Sequence, residues 1–170
     1  MGLFRSSEVV GIARDTLDFV RGAAEDSHPD EYLGLLRGEP ASRLGLDRSG
    51  QVVTDVLVIP GTETNPVSAT HKTINVPNDR TAIGSVHSHP NGVLRPSDED
   101  LMTFTKGKVH IILGAPYGVN DWRAFDREGN PRKLEVLNVE LPEPEDFFHF
   151  SQEDLDAEMD YDAGWFQEER

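Results

Sequence analysis

Hydrophobic side chains near the start of the chain recur at the three- and four-residue spacing of an amphipathic helix. The positions that would share one face of such a helix are Val9, Ile12, Ala13, Leu17, Val20 and Ala24. Ser6 or Ser7 is placed to cap the helix, and Glu8 would interact favourably with the positive end of its dipole. The pattern therefore predicts one helix over residues 6–25 that serves as scaffold.

Shorter apolar runs bounded by turn residues follow, and they predict strands. Within residues 27–38 a turn leads into a short apolar strand that ends at glycine. Further strands are predicted over residues 51–59, 82–89 and 108–114, and a hairpin over 121–126 and 131–139 around the turn 127–130. The polar segment 60–80 predicts a loop or an edge segment, in which His71 is a solvated residue rather than a ligand. His110 is expected to be a core residue with satisfied hydrogen bonds.

The length of 170 residues and the hydrophobic content of 36% fit a single domain with one core. We expect this domain to cover residues 1–139. From residue 140 onward the composition changes to an acidic tail, residues 140–170, which carries more aromatic side chains than a purely solvating segment would. The sequence leaves three alternatives open for this tail: disorder, folding back onto the domain, or binding of a partner.

The chain carries 31 acidic and 16 basic side chains, a net charge of −15 at pH 7. Such a surface repels phosphate backbones, so nucleic acid is not expected as a partner. Molar salt would screen the repulsion among the carboxylates, which makes a halophilic source one hypothesis and ordinary acidic solubility the other. Since no apolar run approaches the ~20 residues needed to span a bilayer, we expect a soluble, cytoplasmic protein without membrane partners.

The residues that carry chemistry are concentrated between Gly84 and Phe104. If residues 82–89 are a strand, His87 and His89 point to one face and Ser88 to the other, so that two imidazoles can share a metal ion. Ser97 and Asp100 then stand at the start of a predicted helix. Two imidazoles and one carboxylate are three ligands for zinc, and a catalytic zinc keeps its fourth position for water.

Each part of this pattern also has a simpler interpretation. Ser97 and Asp100 have the spacing of a capping box, which is the favoured interpretation of that pair taken alone. Two histidines in a strand are more often polar residues bonded to neighbouring backbone than metal ligands. The chain contains no cysteine, which excludes disulfides, thiolate metal sites and cysteine nucleophiles.

Taken together, the series His-x-His, seven residues, Ser, two residues and Asp resembles the motif of the JAMM (MPN-plus) zinc metallopeptidases, and all four positions match. The order of elements is similar over residues 8–139. The resemblance implies an α/β chain with the JAB1/MPN fold, a curved mixed β-sheet flanked by α-helices and related to cytidine deaminases. It also implies one zinc ion per chain, bound by His87, His89 and Asp100.

The family carries a glutamate at the start of the first strand after a helix, and the run His-Pro-Asp-Glu-Tyr-Leu-Gly-Leu-Leu is similar to that of archaeal members. Glu31 is therefore assigned as the general base, ahead of its neighbours Asp30 and Glu25. By the same resemblance Ser97 donates a hydrogen bond to the oxyanion. The implied activity is an isopeptidase that cleaves after the C-terminal Gly-Gly of ubiquitin-like modifiers or processes a ubiquitin-like sulfur carrier.

Two other classes of protein are alternatives to this enzyme. A non-catalytic MPN scaffold that binds partners remains the alternative, although such scaffolds usually lose motif residues and this chain has lost none. A zinc deaminase needs a Pro-Cys-x-x-Cys motif, which a chain without cysteine cannot provide.

Overall fold

The computed structural model describes residues 8–58, 82–104 and 107–141. The expectations for the loop 60–80, for His71 and for almost all of the acidic tail fall outside these residues. Backbone contacts divide the chain into a unit of residues 1–139 and a unit of residues 140–170. Every helix and strand given below belongs to the first unit.

The described chain alternates strands with two helices. Its elements are β1 Val9–Ala13, α1 Arg14–Ser27, β2 Leu33–Pro40, β3 Gln51–Val58, β4 Ala82–His89, α2 Asp98–Thr103, β5 Val109–Gly114, β6 Trp122–Phe125, β7 Pro131–Arg132 and β8 Glu135–Leu137. A short 3-10 helix, Ala41–Leu44, connects β2 to β3.

The eight strands form one mixed sheet in the order β7-β6-β5-β4-β2-β3-β1-β8. Strand β4 pairs parallel with β5 and antiparallel with β2, so it lies well inside the sheet. The two edge strands are consecutive in the chain, since only Lys133 and Leu134 separate β7 from β8. The sheet must therefore curl until its edges come near each other. The Arg132 guanidinium bridges the gap, donating to the carbonyls of Lys108 and Val9.

The predicted helix over residues 6–25 is wrong at its beginning, because Val9–Ala13 is strand β1 and the helix starts at Arg14. The apolar positions were identified correctly, since Val9, Ile12 and Ala13 are fully buried. They lie in a strand that pairs in parallel with both β3 and β8. Strands of this kind are buried on both faces, so their sequences are continuously apolar and do not alternate between apolar and polar residues. At Gly11 a Cβ atom would lie 2.8 Å from the Glu135 carbonyl oxygen. The proposed caps Ser6 and Ser7 lie outside the described residues.

The strand predictions over residues 51–59 and 82–89 are confirmed for the described residues by β3 and β4. The predicted hairpin is correct for β6 and β7, which pair antiparallel through Ala124 and Arg132. It is wrong beyond residue 132, because Glu135–Leu137 crosses to the other edge of the sheet and pairs parallel with β1. The curl of the sheet brings the open edge of β1 close to the end of β7, so that the short β8 finds its hydrogen-bond partners there.

His110 is buried, as expected, but only one of its ring nitrogens has a partner. Its Nδ1 lies 2.7 Å from the Ser85 hydroxyl, while Nε2 has none with hydrogen-bond geometry. The ring stacks on Phe104 with centroids 4.1 Å apart. Among the described residues the expectation of a satisfied core histidine is therefore confirmed for its burial and for Nδ1 but not for Nε2.

Candidate active site

The C-terminal end of β4 and the start of α2 meet around one carboxylate. His87 Nδ1 lies 3.1 Å from Asp100 Oδ1, and His89 Nε2 lies 3.0 Å from Asp100 Oδ2. The two histidines reach the same carboxylate because residues i and i+2 of a strand point to the same face. His87 and Asp100 are almost fully buried, with 5% and 3% of their surfaces exposed. The sequence-predicted residues His87, His89 and Asp100 thus lie together.

Asp100 is also part of the capping box of α2. Its Oδ2 accepts a hydrogen bond from the Ser97 amide at 2.7 Å, and the Ser97 hydroxyl accepts one from the Asp100 amide at 3.1 Å. The predicted cap and the predicted ligand set therefore use the same carboxylate. Burial acts to raise the pKa of Asp100, but the hydrogen bonds from His87 and His89 outweigh it and hold that pKa well below its usual range.

His89 is oriented from behind by the loop that follows β4. Its Nδ1 lies 2.8 Å from the Val93 carbonyl oxygen, which can only accept a hydrogen bond, so Nδ1 carries the proton. A carbonyl in this position fixes the ring and leaves Nε2 for a metal ion, an arrangement common around metal-binding histidines. Burial acts to lower the pKa of His89, but the bonds to Asp100 and Val93 raise it above its ordinary value.

The donor set of the site can be compared with the requirements of zinc. Among the described residues no group of three His, Asp or Glu side chains is already placed to hold a metal ion. Each site imidazole instead lies within hydrogen-bond distance of Asp100. Tetrahedral zinc with bonds of 2.0–2.2 Å places its ligand atoms about 3.3–3.5 Å apart. The observed separations of 3.0 and 3.1 Å end on different oxygens of Asp100, and they show that both imidazoles reach the same carboxylate. Two imidazoles and a carboxylate are also ligand types that zinc takes, so the residues fit this ion.

Glu31 lies beside these three residues, two positions before β2. The antiparallel register places Leu33 opposite His87, so the chain entering β2 passes the end of β4. Burial raises the pKa of the Glu31 carboxyl, and the charges of His89, Asp100 and His87 all act on it. Its competitor Glu25 is an exposed residue within α1, as expected. The raised pKa makes the carboxylate of Glu31 a stronger base than a glutamate in water.

Ser97 remains exposed although it caps α2. Its oxygen accepts the hydrogen bond from the Asp100 amide, which leaves the hydrogen of the hydroxyl for an acceptor outside the helix. A serine in this position can therefore be a cap and a donor at the same time. The five residues predicted from the sequence, Glu31, His87, His89, Ser97 and Asp100, are gathered at one end of β4.

Several neighbours of the site were not found from the sequence. The Val93 carbonyl oxygen contacts His89. Ser88 accepts a hydrogen bond from the amide next to Glu31, and Tyr117 contacts His28 shortly before Glu31. Their contacts depend on the register of β4 with β2 and on a turn after β5, and neither has a signal in the local sequence.

The sequence model of a protein family, described as prokaryotic homologs of the JAB domain, matches residues 14–128 of the chain. The chain belongs to this JAB-domain family. A probable metalloprotease of Haloferax volcanii is 62% identical over 160 residues, which are 94% of this chain and 99% of that protein.

Two solved structures are similar to this JAB-domain chain, each with 32% identity, a TM-score of 0.56 and coverage of 76% of the chain. One structure is described as JAMM, a metalloprotease-like zinc site in the proteasome and signalosome. The similar region covers 99% of that chain. The other is a JAB1/MPN domain protein from Archaeoglobus fulgidus, of which 98% is covered. The resemblance to small archaeal JAMM proteins and the JAB1/MPN fold are thereby confirmed. The similarities support a zinc metallopeptidase role. None of the described helices is long and apolar enough to cross a membrane.

Proposed function

We propose that this chain is a zinc-dependent isopeptidase that releases a ubiquitin-like modifier from conjugated proteins by cleaving after its C-terminal Gly-Gly, or that processes a ubiquitin-like sulfur carrier at the same position. The observation that supports this most directly is the meeting of buried His87 and partly buried His89 with the buried Asp100, next to a half-buried glutamate whose pKa is raised. His87, His89 and Asp100 would hold one zinc ion.

A bound zinc ion lowers the pKa of a water ligand to about 7 and polarises a carbonyl oxygen. Glu31 accepts a proton from the attacking water and passes it to the nitrogen of the leaving amine as the C–N bond breaks. The hydroxyl of Ser97 donates a hydrogen bond to the oxygen that becomes negative in the transition state. The products are a free modifier carboxylate and the lysine amine of the target.

The preference for glycine follows from how little space surrounds the reacting groups. With only 5% of His87 and 3% of Asp100 exposed, little of these residues is open to a scissile carbonyl. In the proposed reaction the carbonyl must also come within reach of Glu31 and Ser97. Side chains on the residues just before the cleaved bond would hinder so close an approach, and glycine has none. An extended, flexible modifier tail that ends in Gly-Gly meets this requirement.

The test compares matched conjugates that end in Gly-Gly and in Gly-Val, incubated with the zinc-loaded protein. We expect rapid cleavage of the Gly-Gly conjugate and a loss of at least ten-fold for Gly-Val, since a misplaced scissile bond loses most of the benefit of orientation. Release of the modifier is measured by gel and by mass spectrometry. Equal rates on the two conjugates, or faster cleavage of a denatured unrelated protein, would contradict the isopeptidase proposal and indicate a general metallopeptidase.

A further inference from the structure

Ser88 stands between the two site histidines in sequence but faces away from them. Its hydroxyl accepts a hydrogen bond from the Tyr32 amide at 2.7 Å, and its own amide donates to the Tyr32 carbonyl at 2.9 Å. The residue is fully buried. Both backbone groups of Tyr32 are therefore held by one residue of β4, and Tyr32 is the covalent neighbour of Glu31.

Tyr117 supports this arrangement from the turn that follows β5. Its ring meets that of His28 edge-on, with centroids 5.8 Å apart. The Tyr117 hydroxyl is 3.0 Å from His28 Nδ1, at the end of α1. Only 4% of Tyr117 is exposed, although the chain around it is a surface turn.

The backbone of Tyr117 adopts a conformation that a bulky residue rarely takes. Its φ of 65° lies in the left-handed region, which costs such a side chain free energy unless its surroundings compensate. Two contacts hold it there. The Tyr117 amide donates to the Gly114 carbonyl at 2.8 Å, and Arg21 Nε donates to the Tyr117 carbonyl at 3.0 Å. With this backbone conformation the phenol is buried and its hydroxyl reaches His28.

We propose that Ser88 and Tyr117 are positioning residues that fix the two ends of the segment carrying Glu31. Ser88 holds the backbone of Tyr32, Tyr117 holds the side chain of His28, and together they keep the Glu31 carboxylate next to His87, His89 and Asp100. This inference rests on the proposed function, in which Glu31 moves the proton. A base that acts on a bound water must lie within hydrogen-bond reach of it, and a displacement of about 1 Å can reduce the rate by a factor of roughly 100.

The first experiment removes single hydroxyl groups and measures turnover of the Gly-Gly conjugate. Ser88→Ala and Tyr117→Phe should each lower kcat by about 10- to 100-fold, as other supporting contacts around metal sites do, with KM and zinc content unchanged. Ser85→Ala is the matched control, since it removes a buried hydroxyl from the same strand that is bonded to His110 instead. Its kcat should stay within about two-fold of the wild type. Wild-type kcat in Ser88→Ala and Tyr117→Phe, or an equal loss in Ser85→Ala, would overturn the inference.

The second experiment asks whether the two residues act through Glu31. In a Glu31→Gln background, Ser88→Ala and Tyr117→Phe should cause no further loss of rate, because the group they position is already gone. Losses that multiply with that of Glu31→Gln would overturn the positioning role. If Glu31→Gln alone keeps the wild-type rate, the proposed function fails instead, so that the two failures can be told apart.

A third measurement needs no substrate. Hydrogen exchange of the Tyr32 amide should become at least ten-fold faster in Ser88→Ala, because its acceptor is removed, while amides of β5 keep their wild-type protection and show that the fold is intact. Unchanged exchange at Tyr32 would overturn the proposed contact, independently of whether the chain is an isopeptidase.

Discussion

Asp100 combines two roles that the sequence presented as alternatives, a helix cap and a partner of the site histidines. One carboxylate accepts the Ser97 amide and meets both His87 and His89. A helix cap is often made by such a residue alone, and a metal ligand often needs a separate group to orient it. Here the cap fixes the rotamer of the carboxylate that faces the histidines, so that the proposed ligand is positioned by the same bond that starts α2.

The first prediction concerns the metal. The double variant His87→Ala/His89→Ala should bind no zinc after dialysis, because two of three ligands are gone, whereas wild-type protein should retain one zinc per chain. Glu31→Gln is the control, since it keeps all three ligands and should keep the metal while losing turnover. Zinc is measured by atomic emission against protein concentration. A double variant with full zinc occupancy would show that the ligands lie elsewhere.

The second prediction concerns His110. Burial lowers the pKa of this ring to about 4 in the folded protein, against an ordinary value of 6.5. Between pH 6.5 and pH 4 the unfolded chain therefore takes up a proton that the folded chain does not, and the free energy of unfolding falls as the pH is lowered. The loss attributable to His110 reaches about 3 kcal/mol near pH 4, and it is absent above pH 6.5.

Urea unfolding of His110→Phe and of the wild type, at several pH values between 4 and 7 in the presence of EDTA, measures this contribution. The variant keeps an aromatic ring next to Phe104 and should lose less stability on acidification than the wild type does. Asp100 stays ionised over this pH range in both proteins, because its pKa is held below its usual range, so the difference between the two slopes is the relevant quantity. Parallel pH profiles would contradict the assignment.

The elements differ in how far their own residues determine them. Strand β3 was predictable, since a β-branched run bounded by glycine and proline has few alternatives. Strand β1 was not, because Val9, Ile12 and Ala13 have a spacing that also suits a helix face, and only pairing with β3 and β8 decides between the two. Strand β8 depends wholly on the curl of the sheet. The Ser97 cap had a local signal and was found.

The third prediction separates the two roles of Ser97 at the start of α2. Ser97→Ala removes both the cap and the hydroxyl donor, so it should lower stability by about 1 kcal/mol and kcat by roughly 100-fold or more. Ser97→Gly also lacks the hydroxyl but is a tolerable cap, so its stability should fall by only a few tenths of a kcal/mol. Turnover of the Gly-Gly conjugate and urea midpoints give the two quantities. A Gly variant that is much more active than the Ala variant would mean that Ser97 contributes mainly as a cap.

At the scale of the whole molecule, the sheet and the surface charge were predictable to different degrees. The family motif indicated the fold, but the near closure of the sheet depends on Arg132, whose side chain reaches carbonyls 24 and 123 residues away in sequence. Contacts over such separations have no local pattern. The charge, in contrast, is a property of composition alone, and the net value of −15 follows from counting the ionisable side chains.

The negative charge affects the stability of the fold because basic side chains balance only part of it. Among the described residues Arg37 pairs with Asp55, Arg43 with Glu39 and Arg48 with Glu135. The whole chain has 31 acidic against 16 basic side chains, so about half of its carboxylates have no cation to match. Their mutual repulsion destabilises the compact state in dilute buffer. The relative from Haloferax volcanii, 62% identical, agrees with an origin in a high-salt environment.

The last prediction is that the melting temperature rises on going from dilute buffer to 1 M KCl. The Debye length shortens from about 10 Å at 0.1 M to about 3 Å at 1 M salt, so repulsion between surface carboxylates is largely removed. NaCl at equal ionic strength should raise the melting temperature by a similar amount, because screening depends on ionic strength and not on the identity of the cation. Differential scanning calorimetry in both salts measures the effect. A melting temperature unchanged between dilute buffer and molar KCl would show that the acidic surface serves solubility alone, and a rise confined to one salt would point to binding of that ion.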